Sequence, residues 1–169
     1  MSAHALRPVL SAPTPLDLSD LTALTRRFAE EVRLGRHTVE VDPDHRWSRR
    51  IMADDVVDVW LISWATDQLA ELHDHAGSLG ALTVVSGSLE EQHWVAGHGL
   101  RRRTLHAGRG AAFGLGHVHD VANHQGETAV SVHAYSPPLT AMSYYEETPS
   151  GFLRRTRTEL TTEPEKVGA

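Results

Sequence analysis

The stretch Leu72-His73-Asp74-His75-Ala76-Gly77-Ser78-Leu79-Gly80 runs on into Ala81-Leu82-Thr83-Val84-Val85 and the pair Ser86-Gly87, and it sets the reading of the whole chain. The apolar, β-branched run from Ala81 to Val85 reads as a strand ended by a turn. On an extended strand His73 and His75 share one face, with Cα atoms roughly 6.5 Å apart. Two imidazoles at that separation can converge on one metal ion through bonds about 2.1 Å long. Spacing alone is not specific: a chain of 169 residues with 12 His yields such pairs by composition, and His117-Val118-His119 is a second one.

The segments flanking this stretch share its character. Val56 to Trp64 is β-branched and aromatic with partial alternation, and further short strands are expected at Glu91–Val95, Arg102–His106, Gly110–Phe113 and Thr128–Tyr135. Gly87, Gly97, Gly99, Gly108 and Gly116 punctuate them. Strands at spacings near ten residues indicate an all-β, double-sheet barrel or sandwich of the jelly-roll kind. Before them, Leu21, Leu24, Phe28 and Val32 recur at helical spacing, with Ser19 or Asp20 as N-cap and Gly35 as the stop, so a short helical region precedes the sheets. Residues 1–16, with Pro8, Pro13 and Pro15, read as an arm, 17–155 as one domain including the helix, and 156–169 as a polar, frayed tail.

Composition narrows the chemistry. The net charge of −6 and the single dense basic run at Arg101–Arg103 argue against nucleic acid. No long apolar run and no basic start before an apolar core points to a membrane span or a signal peptide, so the expected location is the cytoplasm. Cys is absent, which excludes thiolate ligands, disulfides and Cys nucleophiles; a metal site must use imidazole, carboxylate or water. Candidate further ligands are His117 and His119, between which spacing does not choose. In Ser131-Val132-His133-Ala134-Tyr135, three hydrogen-bonding side chains alternate with small apolar ones and share a strand face, which either meets water or forms a buried polar chain.

Three ordered blocks carry a resemblance: His73-x-His75-(x4)-Gly80-(x6)-Gly87, Gly116-x-x-His119-x-x-x-Asn123, and Ser131-x-His133-x-Tyr135-Ser136-Pro137-Pro138. Together they resemble the cysteine dioxygenase family of cupins, over roughly residues 45 to 147. The resemblance implies a cupin-type jelly-roll β-barrel in which His73, His75 and His119 hold one Fe(II) per chain, with O2 as co-substrate. It implies that Ser131, His133 and Tyr135 form a hydrogen-bonded catalytic triad, with Tyr135 also at the substrate, that Arg49 grips the substrate carboxylate, and that Trp47 lines the pocket. Gly80 stands where animal members carry a Cys cross-linked to the active-site Tyr, so no thioether forms here; Asp67 and Gly114 replace a Gly and a Pro of the pattern.

The activity this implies is conversion of L-cysteine and O2 to cysteine sulfinate, a step of cysteine catabolism, by a monomer or weak homo-oligomer. A dioxygenase of another small thiol such as 3-mercaptopropionate is the nearest alternative. A non-catalytic metal- and ligand-binding cupin is the alternative from another class.

Overall fold

The computed structural model describes residues 14–164, which form one helix and eleven strands. Helix α1 spans Leu18–Arg33. The strands are β1 (Ser48–Ala53), β2 (Asp58–Trp64), β3 (Leu69–Asp74), β4 (Leu79–Ser86), β5 (Ser88–Val95), β6 (Gly99–His106), β7 (Gly110–Phe113), β8 (His119–Ala122), β9 (Ala129–Ser136), β10 (Ala141–Glu147) and β11 (Leu153–Leu160). One antiparallel sheet has the order β1-β2-β9-β4-β7, the other β11-β10-β3-β8-β5-β6. From β2 to β5 and from β6 to β10 successive strands alternate between the sheets, as in a jelly roll, while β1/β2, β5/β6 and β10/β11 stay within one sheet; among the described residues no strand pairing joins the two sheets, which form a jelly-roll sandwich.

The first sheet is covered on both sides, which explains why β2 is buried at every position and why its sequence alternates only in part. Trp60, Ile62 and Trp64 enter the core between the sheets together with Leu82, Val84 and Phe113. Val59 and Leu61 enter a second core with Leu21, Phe28 and Val32 of α1. At that helix–sheet boundary the Thr25 and Thr83 hydroxyls, both buried, bond each other at 2.9 Å. A strand buried on both faces reads as a hydrophobic run instead of a clean alternation.

The N-cap of α1 is Asp17, not Ser19 or Asp20: its carboxylate accepts the Asp20 backbone N–H at 2.9 Å, three residues on. Gly35 ends the helix as expected, at φ 73° with its N–H bonded to Val32 O. The helix is too short and polar to cross a membrane. Most of the expected N-terminal arm lies outside the described residues; at its end Leu16 N–H bonds the Ser136 hydroxyl at 2.8 Å.

The expected frayed tail is corrected for residues 156–160. They complete β11, paired along β10 from Leu160↔Ala141 to Leu153↔Glu147. Arg157 explains why so polar a strand holds: its guanidinium lies 3.7 Å over the Tyr144 ring and reaches Glu71 at 2.8 Å and 3.0 Å. Beyond it Pro164 is buried.

Candidate metal centre

β3 and β8 pair with His73 directly opposite His119. His75 follows the last residue of β3, where Ala76 takes φ 49° and starts the turn back into β4. All three imidazoles are buried, and their ligand atoms lie within 4.8 Å of one another. His73 Nδ1–H donates to Glu71 O at 2.6 Å, which leaves Nε2 as the lone-pair nitrogen, 3.2 Å from His75 Nε2. His119 Nδ1 bonds Glu91 Oε1 at 2.9 Å, while its Nε2 is buried without a partner.

A buried nitrogen with no hydrogen bond costs roughly 1–3 kcal/mol unless something binds it. Burial pushes the pKa values of His73 and His75 well below the imidazole range, and lowers that of His119 against the opposing pull of Glu91. Neutral imidazoles with converging Nε2 atoms are what a divalent metal requires. The donor set therefore fits the metal that the sequence resemblance implies, and His119, not His117, completes it.

His117 Nε2 instead reaches Glu91 Oε1, the same oxygen that holds His119, at 3.2 Å. Glu91, His117 and His119 form a second metal-competent group, but Glu91 Oε2 is already taken by Arg103 Nε, and a guanidinium repels a cation there.

β9 settles the open reading of its polar face. Ser131, His133 and Tyr135 are all buried, facing the core between the sheets. Trp64 Nε1–H donates to Ser131 Oγ at 2.9 Å, Ser131 Oγ meets His133 Nε2 at 2.9 Å, and His133 Nδ1 meets the Tyr135 hydroxyl at 3.3 Å. The indole can only donate, and one direction along the chain then gives the buried Ser131 hydroxyl proton a partner as well. Ser131 donates to His133, His133 Nδ1–H donates to Tyr135, and the phenol keeps its own proton to donate elsewhere. Burial holds His133 neutral, with its pKa down at about 3. The Tyr135 ring lies 4.8 Å from that of His75, which joins the chain to the cluster.

The cluster, through His73 and His119, and the chain, through His133 and Tyr135, meet in a cavity of about 20 Å³ that Arg46 and Pro164 also line. None of the lining residues is acidic. Arg46 is 8% exposed; its guanidinium stacks 4.7 Å over the Trp64 ring and donates to Leu69 O at 3.3 Å.

Arg49 and Trp47, the residues expected to bind substrate, are not brought to this cavity. Arg49 pairs with Leu61, so it shares the helix-facing side of the sheet and is exposed there, while Trp47 packs against the α1 core. Arg50 pairs with Trp60 and shares the side of His133, yet lies exposed 5.5 Å over the Trp60 ring. Side chains alternate along a strand, so once Leu61 faces the helix Arg49 must follow it. Arg46 and Glu91 were missed because their inward direction depends on pairing register.

The other motif residues have structural work. Asn123 is fully buried, donates to Trp64 O at 2.9 Å and Glu127 O at 2.7 Å, and so holds the turn between β8 and β9. Gly80 pairs with Tyr135, and a Cβ there would lie 2.0 Å from Phe113 Cε2. Phe113 stacks on His75 with ring centroids 4.9 Å apart, so a Cys at this position would collide with the wall of the histidine cluster. Asp67 adopts φ 66°, the conformation for which the pattern uses Gly.

Solved structures share the architecture. A Thermus thermophilus protein is 19% identical, with TM-score 0.54, 62% of this chain covered and 93% of its own. A Klebsiella pneumoniae protein with a double-stranded β-helix domain is 19% identical, with TM-score 0.52, 70% of this chain and 90% of its own. A cupin superfamily protein of Desulfitobacterium hafniense is 11% identical, with TM-score 0.50, 58% of this chain and 83% of its own. These likenesses support the cupin fold. The pattern of the family "cysteine dioxygenase type I" matches residues 11–148, most of the chain and every element that builds the histidine cluster, so the chain belongs to the cysteine dioxygenase type I family.

Proposed function

We propose that this chain is an Fe(II)-dependent dioxygenase that converts a small carboxylated thiol, L-cysteine in the first place, to its sulfinate. Family membership supports a cupin metal enzyme of the thiol-dioxygenase type. The observation that carries the finer reading is the cavity: His73 and His119 of the histidine cluster, His133 and Tyr135 of the hydrogen-bonded chain and the Arg46 guanidinium all line it.

His73, His75 and His119 would hold the metal, which supplies thiolate binding and dioxygen activation. Every other task falls to the chain's own residues. Arg46, pinned over Trp64, pairs with the substrate carboxylate and so fixes which way the thiol points. Ser131 and His133 keep the Tyr135 hydroxyl in donor orientation towards the cavity, where its proton meets the oxygen that develops charge. The apolar walls Ile62, Ala70 and Val121 keep bulk water from the reacting atoms. The thiol and O2 combine into the sulfinic acid, whose proton leaves to solvent; both oxygen atoms stay in the product and no reductant is consumed.

The test is oxygen uptake by anaerobically Fe(II)-loaded protein with L-cysteine, 3-mercaptopropionate or cysteamine, with the product mass read for two added oxygen atoms. Turnover of the carboxylated thiols and not of cysteamine is expected, and the ratio of the first two assigns the substrate. Equal turnover of cysteamine removes the carboxylate grip. Bound iron without uptake on any thiol leaves a binding cupin.

A further inference from the structure

Glu91 carries more of this site than its distance from the cavity suggests. It sits on β5, is fully buried, and three donors converge on it: His119 Nδ1–H at 2.9 Å, His117 Nε2–H at 3.2 Å, and Arg103 Nε–H. A buried carboxylate is costly unless paired and hydrogen-bonded, and this one is both. Two of its three partners lie at the rim: the Arg103 side chain is 41% exposed and that of His117 is 20% exposed. The third is the ring whose other nitrogen is buried and unpartnered, aimed at the His73/His75 pair.

We propose that Glu91 is a positioning residue for the metal: by accepting the Nδ1–H of His119 it fixes the tautomer that turns Nε2 to the ion and places an anion one imidazole away from it. The proposal rests on the metal reading of His73, His75 and His119. His73 has its tautomer set by a backbone carbonyl, Glu71 O, which carries no charge. His119 alone has its tautomer set by a carboxylate. A ligand so hydrogen-bonded is more basic and better oriented, and loss of such a partner typically weakens a metal 10–100-fold. Arg103 acts one step further out, holding Glu91 Oε2 so that Oε1 faces the imidazole.

The test is a titration of metal-free protein with Co(II), read by its visible ligand-field bands, on wild type, Glu91→Gln, Arg103→Gln, His73→Ala and His117→Ala. Glu91→Gln keeps the shape and an amide oxygen for His119, so the expected result is a 10–100-fold weaker Kd with displaced bands and an unchanged far-UV spectrum. Arg103→Gln weakens Co(II) in the same direction by less, and being a rim substitution it carries the test if Glu91→Gln does not fold. Wild-type affinity and bands in every folded variant at these two positions overturn the proposal. So does a metal lost in His117→Ala and kept in His73→Ala, since the ion then sits on Glu91 itself. Wild-type protein that binds no Co(II) brings down the metal reading, a distinct outcome.

Discussion

In the proposed reaction Arg46 and Tyr135 would divide the work of the cavity at the level of single side chains. Arg46 is committed before substrate arrives, held between an indole face and a backbone carbonyl, so little side-chain freedom is lost on pairing with a carboxylate. Hydrogen bonds to charged groups contribute about 1.5–3 kcal/mol. Arg46→Ala therefore raises KM for L-cysteine about 10- to 100-fold in steady-state oxygen uptake, with a smaller change in kcat, whereas Arg49→Ala leaves KM unchanged because Arg49 shares the helix-facing side of the sheet. Tyr135 acts in the other parameter. Removing one preorganised donor aimed at developing charge typically costs about 10²-fold, so Tyr135→Phe lowers kcat by about that factor with KM little altered. Loss of KM instead of kcat in the Tyr135 variant would reassign the hydroxyl to ground-state binding.

Among the elements, β4 and β9 set the geometry that β3 and β8 complete. Strand β9 presents its polar face inward because β2 and β4 flank it on either side and α1 covers its other face. The apolar alternates Val130, Val132 and Ala134 are claimed by the helix, so Ser131, His133 and Tyr135 are left with the core and must satisfy one another. β4 approaches Phe113 of β7 so closely at Gly80 that any side chain displaces the ring. Gly80→Ala is expected to destabilise by about 1–3 kcal/mol, the usual cost of overpacking. Thermal or urea unfolding of the metal-free protein reads it, and Co(II) affinity should fall as well, since Phe113 stacks on His75. A stability equal to wild type would mean that β7 yields freely.

Burial of four imidazoles gives the whole molecule a particular response to acid. His133 has its pKa lowered to about 3, and those of His73, His75 and His119 are lowered too, chiefly by burial. In the unfolded chain each titrates near the ordinary 6.5 or so. Above that pH neither state is protonated and nothing is gained or lost. Below it the unfolded state binds protons that the folded state refuses, so stability falls as pH drops from about 6.5, each such histidine contributing until its lowered folded-state pKa is reached. Glu91 has the same sign in a lower window. Burial alone would raise its pKa, but hydrogen bonds from His117, His119 and Arg103 hold it far below the carboxylate range, so its contribution is lost only as pH falls below the ordinary Glu value. The thermal midpoint of metal-free protein is thus flat from pH 8 to 7 and drops steadily towards pH 4. A midpoint that holds to pH 5 would contradict the burial of these rings.

Much of this protein was legible in its sequence because the signals are local. Period-two alternation at His73-x-His75 and Ser131-x-His133-x-Tyr135, a 3.6-residue period in Leu21, Phe28 and Val32, and glycines at the turns each report backbone geometry a few residues away. The absence of Cys settled which ligands a metal site could use. The face on which each stripe ends is a different quantity. The choice of His119 over His117, the burial of the β9 polar face, and the entry of Arg46 in place of Arg49 all follow from strand register and from α1 covering one side of the first sheet. So does the short reach from Glu91 to His119 across a gap of 28 residues. Those contacts are long-range: a shift of one residue in pairing inverts every side chain, and only packing of the whole sandwich fixes that shift.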